Sequence, residues 1–336
     1  MKLSLFPYQL EFRYPFRIAH GVRTHTDVVY VKLEHDGCTA WGEATLPPYL
    51  LETQQSVISF LTDFSKSVSG NSVDEWFDRL SKESENLSAK AALDMALWGL
   101  KAQLQNKSIE ELLGIKSTLF PLATYTIGVC SLPEMKLKID DAIGYGFEMF
   151  KIKLNGETDE DMINNFRNIC EKPYAVDVNQ GWKDASMFIN KMEWLKEKGC
   201  VLIEQPLPKD FLLPRSRVNG SYDLPVYADE SCQRLGDIEK LRDNFDGVNI
   251  KLMKCGGITE AFQMIRKARE LEMKVLIGCM SESSVGCSAA SHLTPLADYA
   301  DLDGPYLISN NPFEGMQVVN GRIQVRPVTK NSLNLQ

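Results

Sequence analysis

Lys151 and Lys153 stand one residue apart, and after them come Asp177, Glu204, Asp229 and Lys251, then Asp301 and Asp303. Carboxylates and ammonium groups are the side chains that proton transfer and hard-cation binding call for. Three acids brought together repel one another and raise their own pKa values unless a cation stands between them. A dication with oxygen ligands resolves this. Mg²⁺ commonly takes a few carboxylates, with water or substrate completing its octahedron. Taken singly, each acid is as readily a solvated loop residue or the cap of a following helix. Asp177, Glu204 and Asp229 in register favour the metal.

Lys151 and Lys153, at positions i and i+2 of a strand, point to the same face. A lysine on an interior face is costly to bury without a task. Neighbouring cations lower an ammonium pKa, which would let one lysine act as a base near neutral pH. Lys254 fits the plainer reading of a surface lysine whose stem snorkels. Of the four histidines only His292 lies in the second part of the chain, so a histidine base is not expected.

These residues need a scaffold that gathers distant positions. Each ends or closely follows a short apolar run: Thr126 in 122–129, Lys153 in 149–154, Asp177 in 174–178, Glu204 in 201–204, Asp229 in 226–229, Lys251 in 247–252, Cys279 in 274–279 and Asp301 in 299–302. The eight positions are 22 to 28 residues apart, with amphipathic stretches between them, which predicts parallel βαβ units. An open sheet would gather polar groups at one switch crevice, whereas a closed barrel brings eight strand ends around one mouth. The expected class is therefore α/β: a modified TIM barrel of (β/α)7β type over residues 120–305. Its second and sixth strands are opposed, so Lys153 and Lys251 face each other across the strands carrying the acids.

Residues 1–115 have a different grammar. Alternating runs at 2–13 and 27–35, the turn His35-Asp36-Gly37 and a strand from Cys38 give way to helical spacing over about 52–70 and 73–105. This predicts an α+β N-terminal capping domain. No full helix follows the eighth run, and residues 306–336 are expected to return and complete the cap.

The net charge of −8 over 336 residues argues against a nucleic-acid partner, and no apolar run approaches the length of a membrane span. The N-terminus shows no secretory pattern. Eight scattered cysteines with no C-x-x-C pair suit reduced thiols in the cytoplasm. A homo-oligomer is left open.

The segments K-I-K (151–153), D-V-N-Q-G-W (177–182), I-E-Q-P (203–206), A-D-E-S (228–231), N-I-K-L-M-K-C-G-G-I (249–258) and A-A-L-D-M-A-L-W (91–98) occur in this order. Together they resemble the muconate-lactonising subgroup of the enolase superfamily, whose use of a Lys or His base with Mg²⁺ is established. The resemblance implies Lys153 and Lys251 as an acid/base pair, with Asp177, Glu204 and Asp229 as ligands of one Mg²⁺ per subunit. It also implies 1,1-proton transfer through a metal-stabilised enediolate. A base on each face suits racemisation or epimerisation.

Fold and ligands do not settle the substrate. Asp301 and Asp303 share a face and are not needed for the metal, so a cationic group such as a free α-ammonium is their natural partner; the plainer alternative is a helix cap. The D-x-D pattern resembles dipeptide epimerases. That resemblance implies that the pair holds the dipeptide ammonium, that Lys151 helps hold the carboxylate, and that Thr126 and Cys279 line the pocket. Asn179, Glu230 and Glu282 are expected behind the ligands, orienting a lysine or a water, with Glu230 turned away from the mouth. In Pro15–Arg23, matching a mobile specificity loop, Arg17 or Arg23 reaching inwards would select an acidic side chain. Gly21 offers none, so the expectation is an Ala-X dipeptide with a small or apolar second residue. An N-succinylamino-acid racemase or o-succinylbenzoate synthase would leave Asp301 and Asp303 unexplained. A Schiff-base aldolase would use a lysine nucleophile and no metal.

Overall fold

The computed structural model describes residues 1–18, 21–70, 72–214 and 224–331 of the protein. β1 (Lys2–Ile18), β2 (Gly21–His35) and β3 (Cys38–Leu46) form an antiparallel sheet in that order. The first two strands run longer than their alternation predicts, staying paired as far as Ile18 and Gly21 through a register shift between Glu11 and Phe16. Asp36 and Gly37, at φ 46° and 78°, make the left-handed two-residue turn that joins β2 to β3.

Three helices cover this sheet, α1 (Gln54–Ser67), α2 (Val73–Leu80) and α3 (Leu87–Gln105), while Ile109 of α4 (Ile109–Leu113) joins the barrel core. The helical stretch expected over 73–105 is broken between α2 and α3. There Asn86 takes a φ of 47° and its side chain accepts from Ala89 N, starting a new helix. Ala89, Ala92, Leu93, Ala96 and Leu97 of α3 share a buried cluster with Val29, Val31 and Leu33 of β2. Small residues allow this close approach, and a side chain at Gly42 would collide with the Ala92 carbonyl.

The second unit is one parallel sheet in chain order: β4 (Thr124–Ile127), β5 (Met149–Lys153), β6 (Tyr174–Asp177), β7 (Cys200–Glu204), β8 (Val226–Ala228), β9 (Gly247–Lys251), β10 (Lys274–Gly278) and β11 (Tyr299–Asp301). A bridge between Ala123 and Ala300 closes it into a barrel. Outside lie α5 (Leu132–Gly144), α6 (Asp159–Ile169), α7 (Ala185–Glu197), α8 (Ile238–Leu241), α9 (Leu252–Cys255), α10 (Ile258–Glu270) and α11 (Ser284–Ser291). Only the single turn of α12 (Gly304–Leu307) follows the last strand. This is the α/β barrel that the eight spaced runs predict. No helix among the described residues is long and apolar enough to cross a membrane.

Strand alternation sorts the barrel interior into layers. Met149, Ala175, Leu202, Tyr227 and Leu276 form a buried apolar plug. Two residues later, on the same side of the chain, come Lys151, Asp177, Glu204, Asp229 and Gly278. The plug makes a floor beneath these acids and the lysine.

The last residues divide between the two units. Ile308 and Phe313 pack with Leu10, Val28 and Tyr30 of the cap sheet, and β12 (Phe313–Glu314) pairs with β15 (Thr329–Lys330). Between them, β13 (Gln317–Val319) and β14 (Arg322–Gln324) form a hairpin whose Val318 and Ile323 join the barrel core. Gly321 accepts from Ala123 N and donates to Gly146 O, which ties the hairpin to the barrel and not to the cap. The C-terminal segment therefore does more than complete the cap.

Candidate active site

Parallel register places Lys153 beside Asp177, Asp177 beside Glu204, and Lys251 and Asp301 on either side of Gly278. The strand tips surround a cavity of about 480 Å³ lined by Thr126, Lys151, Lys153, Asn179, Asp229, Glu230, Lys251, Cys279, Asp301 and Asp303. Glu282 is buried behind the lining, at 1% exposure.

One oxygen from each of Asp177, Glu204 and Asp229 lies within 4.8 Å of the others, and all three residues are buried. The repulsion expected among converging acids falls on Glu204, which burial and then Asp177 push up to about 8. Burial works against the charge of Asp229 too, but Lys251 and Lys254 hold its pKa well below the usual range. Asp177 is lowered likewise, Lys153 and Lys151 overcoming its burial. Glu204 Oε2 accepts no hydrogen bond, although Lys151 Nζ lies 3.0 Å away. Three clustered hard oxygen donors, one of them unused, fit a divalent cation.

The lysines are bonded to these same acids. Lys153 Nζ donates to Asp177 Oδ2 at 2.6 Å and Lys251 Nζ to Asp229 Oδ2 at 2.7 Å, from β5 and β9 on opposite walls. Burial disfavours the Lys251 charge, yet Asp229 and its neighbours outweigh this and hold the pKa well above the lysine range. Lys254 departs from its surface reading altogether. At 4% exposure it donates to Asp229 Oδ1 at 2.6 Å, to Asp229 O at 2.7 Å and to Asn249 O at 2.9 Å. The turn of α9 after Lys251 swings it inwards.

Asp301 and Asp303 both reach the mouth, by different routes. Asp301 ends β11, accepts from Thr124 Oγ1 at 2.7 Å and pairs with Lys151 Nζ at 2.5 Å. The strand has ended before Asp303, which stands at the N-terminus of α12 without capping it. Its Oδ2 instead accepts from Thr126 N at 2.6 Å. Burial and then Asp301 push Asp303 up to about 7. Cys279 N donates to the Asp301 carbonyl at 3.0 Å.

Residues 2–114 match the N-terminal domain of mandelate racemase / muconate lactonizing enzyme, and residues 134–327 the enolase C-terminal domain-like unit. An L-Ala-D/L-Glu epimerase of Bacteroides thetaiotaomicron is 43% identical over 96% of this chain and 85% of its own. The chain belongs to the mandelate racemase/muconate lactonizing enzyme family. Among solved structures, a substrate-liganded L-Ala-D/L-Glu epimerase from Bacillus subtilis superposes with a TM-score of 0.89 at 26% identity, covering 98% of this chain and 97% of that one. A Cytophaga hutchinsonii dipeptide epimerase complexed with Mg and D-Ala-L-Val gives 0.87 at 26%, covering 98% and 93%.

Within this family member several site residues had no clear signal in the sequence. Asn249 Nδ2 donates to Glu204 Oε1 at 2.8 Å, in space left by Gly278, whose side chain would meet the Asn249 amide. Gln205 Oε1 accepts from Asp229 N at 2.9 Å. Glu230 lines the cavity and does not turn away, because β8 stops at Ala228 and alternation stops with it; its Oε1 accepts from Asn179 Nδ2 at 3.3 Å. Asn179 N donates to Asp177 Oδ1 at 2.9 Å. Glu282 Oε1 accepts from Met280 N at 2.8 Å and touches no ligand.

The cap completes the rim. Arg23, Tyr49 and Phe16 line the cavity, and Arg23 Nη1 is buried with no hydrogen-bond partner while its Nη2 donates to Ser281 Oγ at 3.3 Å. Arg17 pairs with Glu134 at 3.2 Å and lies outside the lining. Of the segment expected to be a mobile loop, Ala19 and His20 lie outside the described residues. His292 pairs with Glu110 at 3.0 Å and is absent from the lining.

Proposed function

We propose that the protein is a Mg²⁺-dependent dipeptide epimerase that inverts the C-terminal α-carbon of an Ala-X substrate whose second residue is acidic. The observation that carries this reading is the placement of Lys153 and Lys251 on opposed strands, either side of three clustered carboxylates. Lys153 takes or returns the α-proton on one face and Lys251 on the other. Each must first be released from its carboxylate, Asp177 or Asp229, to act as a base.

Asp177, Glu204 and Asp229 would hold the cation. When bound, it withdraws charge from the substrate carboxylate as the α-carbon loses its proton. Lys151 holds the same carboxylate from the β5 side, and Asp301 and Asp303 receive the substrate ammonium. Thr126 and Cys279 line the pocket at the strand tips. Asn179, Glu230 and Glu282 keep the acids and loops in place. Arg23 supplies the cation for the side chain, which replaces the small or apolar preference expected from Gly21; its unpartnered Nη1 supports this.

The division into a cap (1–115), a barrel (120–305) and a shared C-terminal segment belongs to the same reading, as does a cytoplasmic location. An N-succinylamino-acid substrate would bring no ammonium to Asp301 and Asp303, and a Schiff-base aldolase would leave the three acids idle. The test is to incubate L-Ala-L-Glu with the protein and Mg²⁺ and separate the diastereomers. L-Ala-D-Glu should accumulate and should stop accumulating in chelator. A single unchanged diastereomer overturns the proposal.

A further inference from the structure

We infer that Glu43 is a positioning residue: a carboxylate of the cap that pins the barrel loop 279–283 and so sets where Arg23 and Tyr49 meet the substrate. As far as the substrate is concerned, this rests on the function proposed above.

Glu43 lies on β3 at 0% exposure, outside the cavity lining. Both of its oxygens are doubly bonded. Oε1 accepts from Thr45 Oγ1 at 2.9 Å and Ser283 N at 2.9 Å; Oε2 accepts from Ser283 Oγ at 2.6 Å and Gly286 N at 2.9 Å. Three of these four donors belong to the barrel, at the start of α11, where a negative charge also meets the positive end of the helix. A side chain of the cap thus anchors a barrel helix across the boundary between the two units.

The pinned loop is also the one on which the cap's pocket-facing groups rest. Cys279 N fixes one end of it to Asp301 O, and Glu43 fixes the other at Ser283. Between these ends, Met280 Sδ accepts from Tyr49 OH at 2.9 Å and Ser281 Oγ accepts from Arg23 Nη2 at 3.3 Å. Tyr30 on β2, the strand carrying Arg23, pairs with Glu43. The loop and the two cap side chains are therefore held in one register by Glu43. The proton-transfer strands β5 and β9 are untouched by it.

A neutral isostere cannot take its place. In either orientation, the amide NH₂ of a glutamine would face a backbone N–H that cannot turn round, that of Ser283 or that of Gly286. Glu43→Gln should therefore release the loop while leaving Lys153 and Lys251 in place. Losing contacts made equally in the ground and transition states raises KM and spares kcat.

The test compares the wild type and Glu43→Gln by hydrogen–deuterium exchange mass spectrometry and by kinetics on L-Ala-L-Glu. The expected result is faster exchange in 279–286 and in 47–51, with 149–153 and 247–251 unchanged. KM should rise about tenfold, with kcat changed less than about threefold. Faster exchange confined to 283–286, or an unchanged KM in the folded variant, overturns the inference. Should Glu43→Gln fail to fold, Ser283→Ala, which removes one bond to Oε2, must show the same pattern more weakly. If the wild type epimerises no dipeptide, the proposed function fails, and the exchange pattern alone decides the role of Glu43.

Discussion

Lys151 Nζ lies 2.5 Å from Asp301 Oδ2, so a cation and an anion proposed to hold opposite ends of a substrate hold each other. Burial opposes the Lys151 charge, but Asp301, Glu204 and Asp177 outweigh it and keep its pKa well above the lysine range. The pair keeps two buried charges compensated while presenting both to the cavity. Removing one partner from such a pair leaves the other uncompensated, at a cost of about 3–5 kcal/mol. Lys151→Met should lower the urea-unfolding free energy by that order, measured in chelator so that the cation does not contribute. An unchanged midpoint and slope would mean that Lys151 is not the counter-charge of this layer.

Asp303 accepts from Thr126 N and lies beside Asp301. If these acids receive the ammonium, Asp303→Asn should raise KM for a dipeptide far more than for its N-acetylated form. Steady-state kinetics on the two substrates decide this, and equal effects on both would argue against an ammonium site.

Arg23 lines the cavity from the cap side together with Phe16, Tyr49 and Leu50, and its buried Nη1 has no hydrogen-bond partner. A hydrogen bond to a charged group contributes about 1.5–3 kcal/mol, a factor of roughly 10 to 150 in binding. Arg23→Gln should raise KM for L-Ala-L-Glu within that range and leave L-Ala-L-Leu nearly unaffected. A parallel loss on both dipeptides would assign Arg23 to packing alone, through its stacking over Phe12 and Phe16.

Glu282 has an ordinary value of 4.5 and stands at about 8 in the fold, first through burial and then through the charge of Glu43. The folded chain therefore keeps a proton that the unfolded chain releases. The stability this contributes is complete below about pH 4.5 and is lost as pH rises through about 8, at up to about 1.4 kcal/mol per pH unit. Glu282→Gln cannot titrate, so its stability relative to wild type should grow from about pH 5 to about pH 8. Parallel urea-stability profiles across that window would contradict the shift.

The barrel was legible in the sequence because one rule repeats eight times: an apolar run, a polar end, an amphipathic return. Thr126, Lys153, Asp177, Glu204, Lys251 and Asp301 all fall at or beside strand ends on that rule. Reasoning from strand periodicity failed where the strands stop. Glu230 and Lys254 lie two and three residues beyond a strand end, where the chain turns and alternation no longer says which way a side chain points. Contacts between the two units were illegible for a different reason. Glu43 and Ser283, or Arg23 and Ser281, are some 240 residues or more apart in the chain, and nothing local to either announces the other.

The central claim is that two lysines on opposed strands exchange one proton at the α-carbon. L-Ala-L-Glu incubated with the protein and Mg²⁺ in D₂O should gain one deuterium at the C-terminal α-carbon, in both diastereomers, by mass spectrometry and NMR. Lys153→Ala and Lys251→Ala should each slow epimerisation by about 10²–10⁴-fold, the usual weight of a positioned acid or base. No deuterium at that carbon with the wild type, or near-normal epimerisation by either variant, would contradict the account.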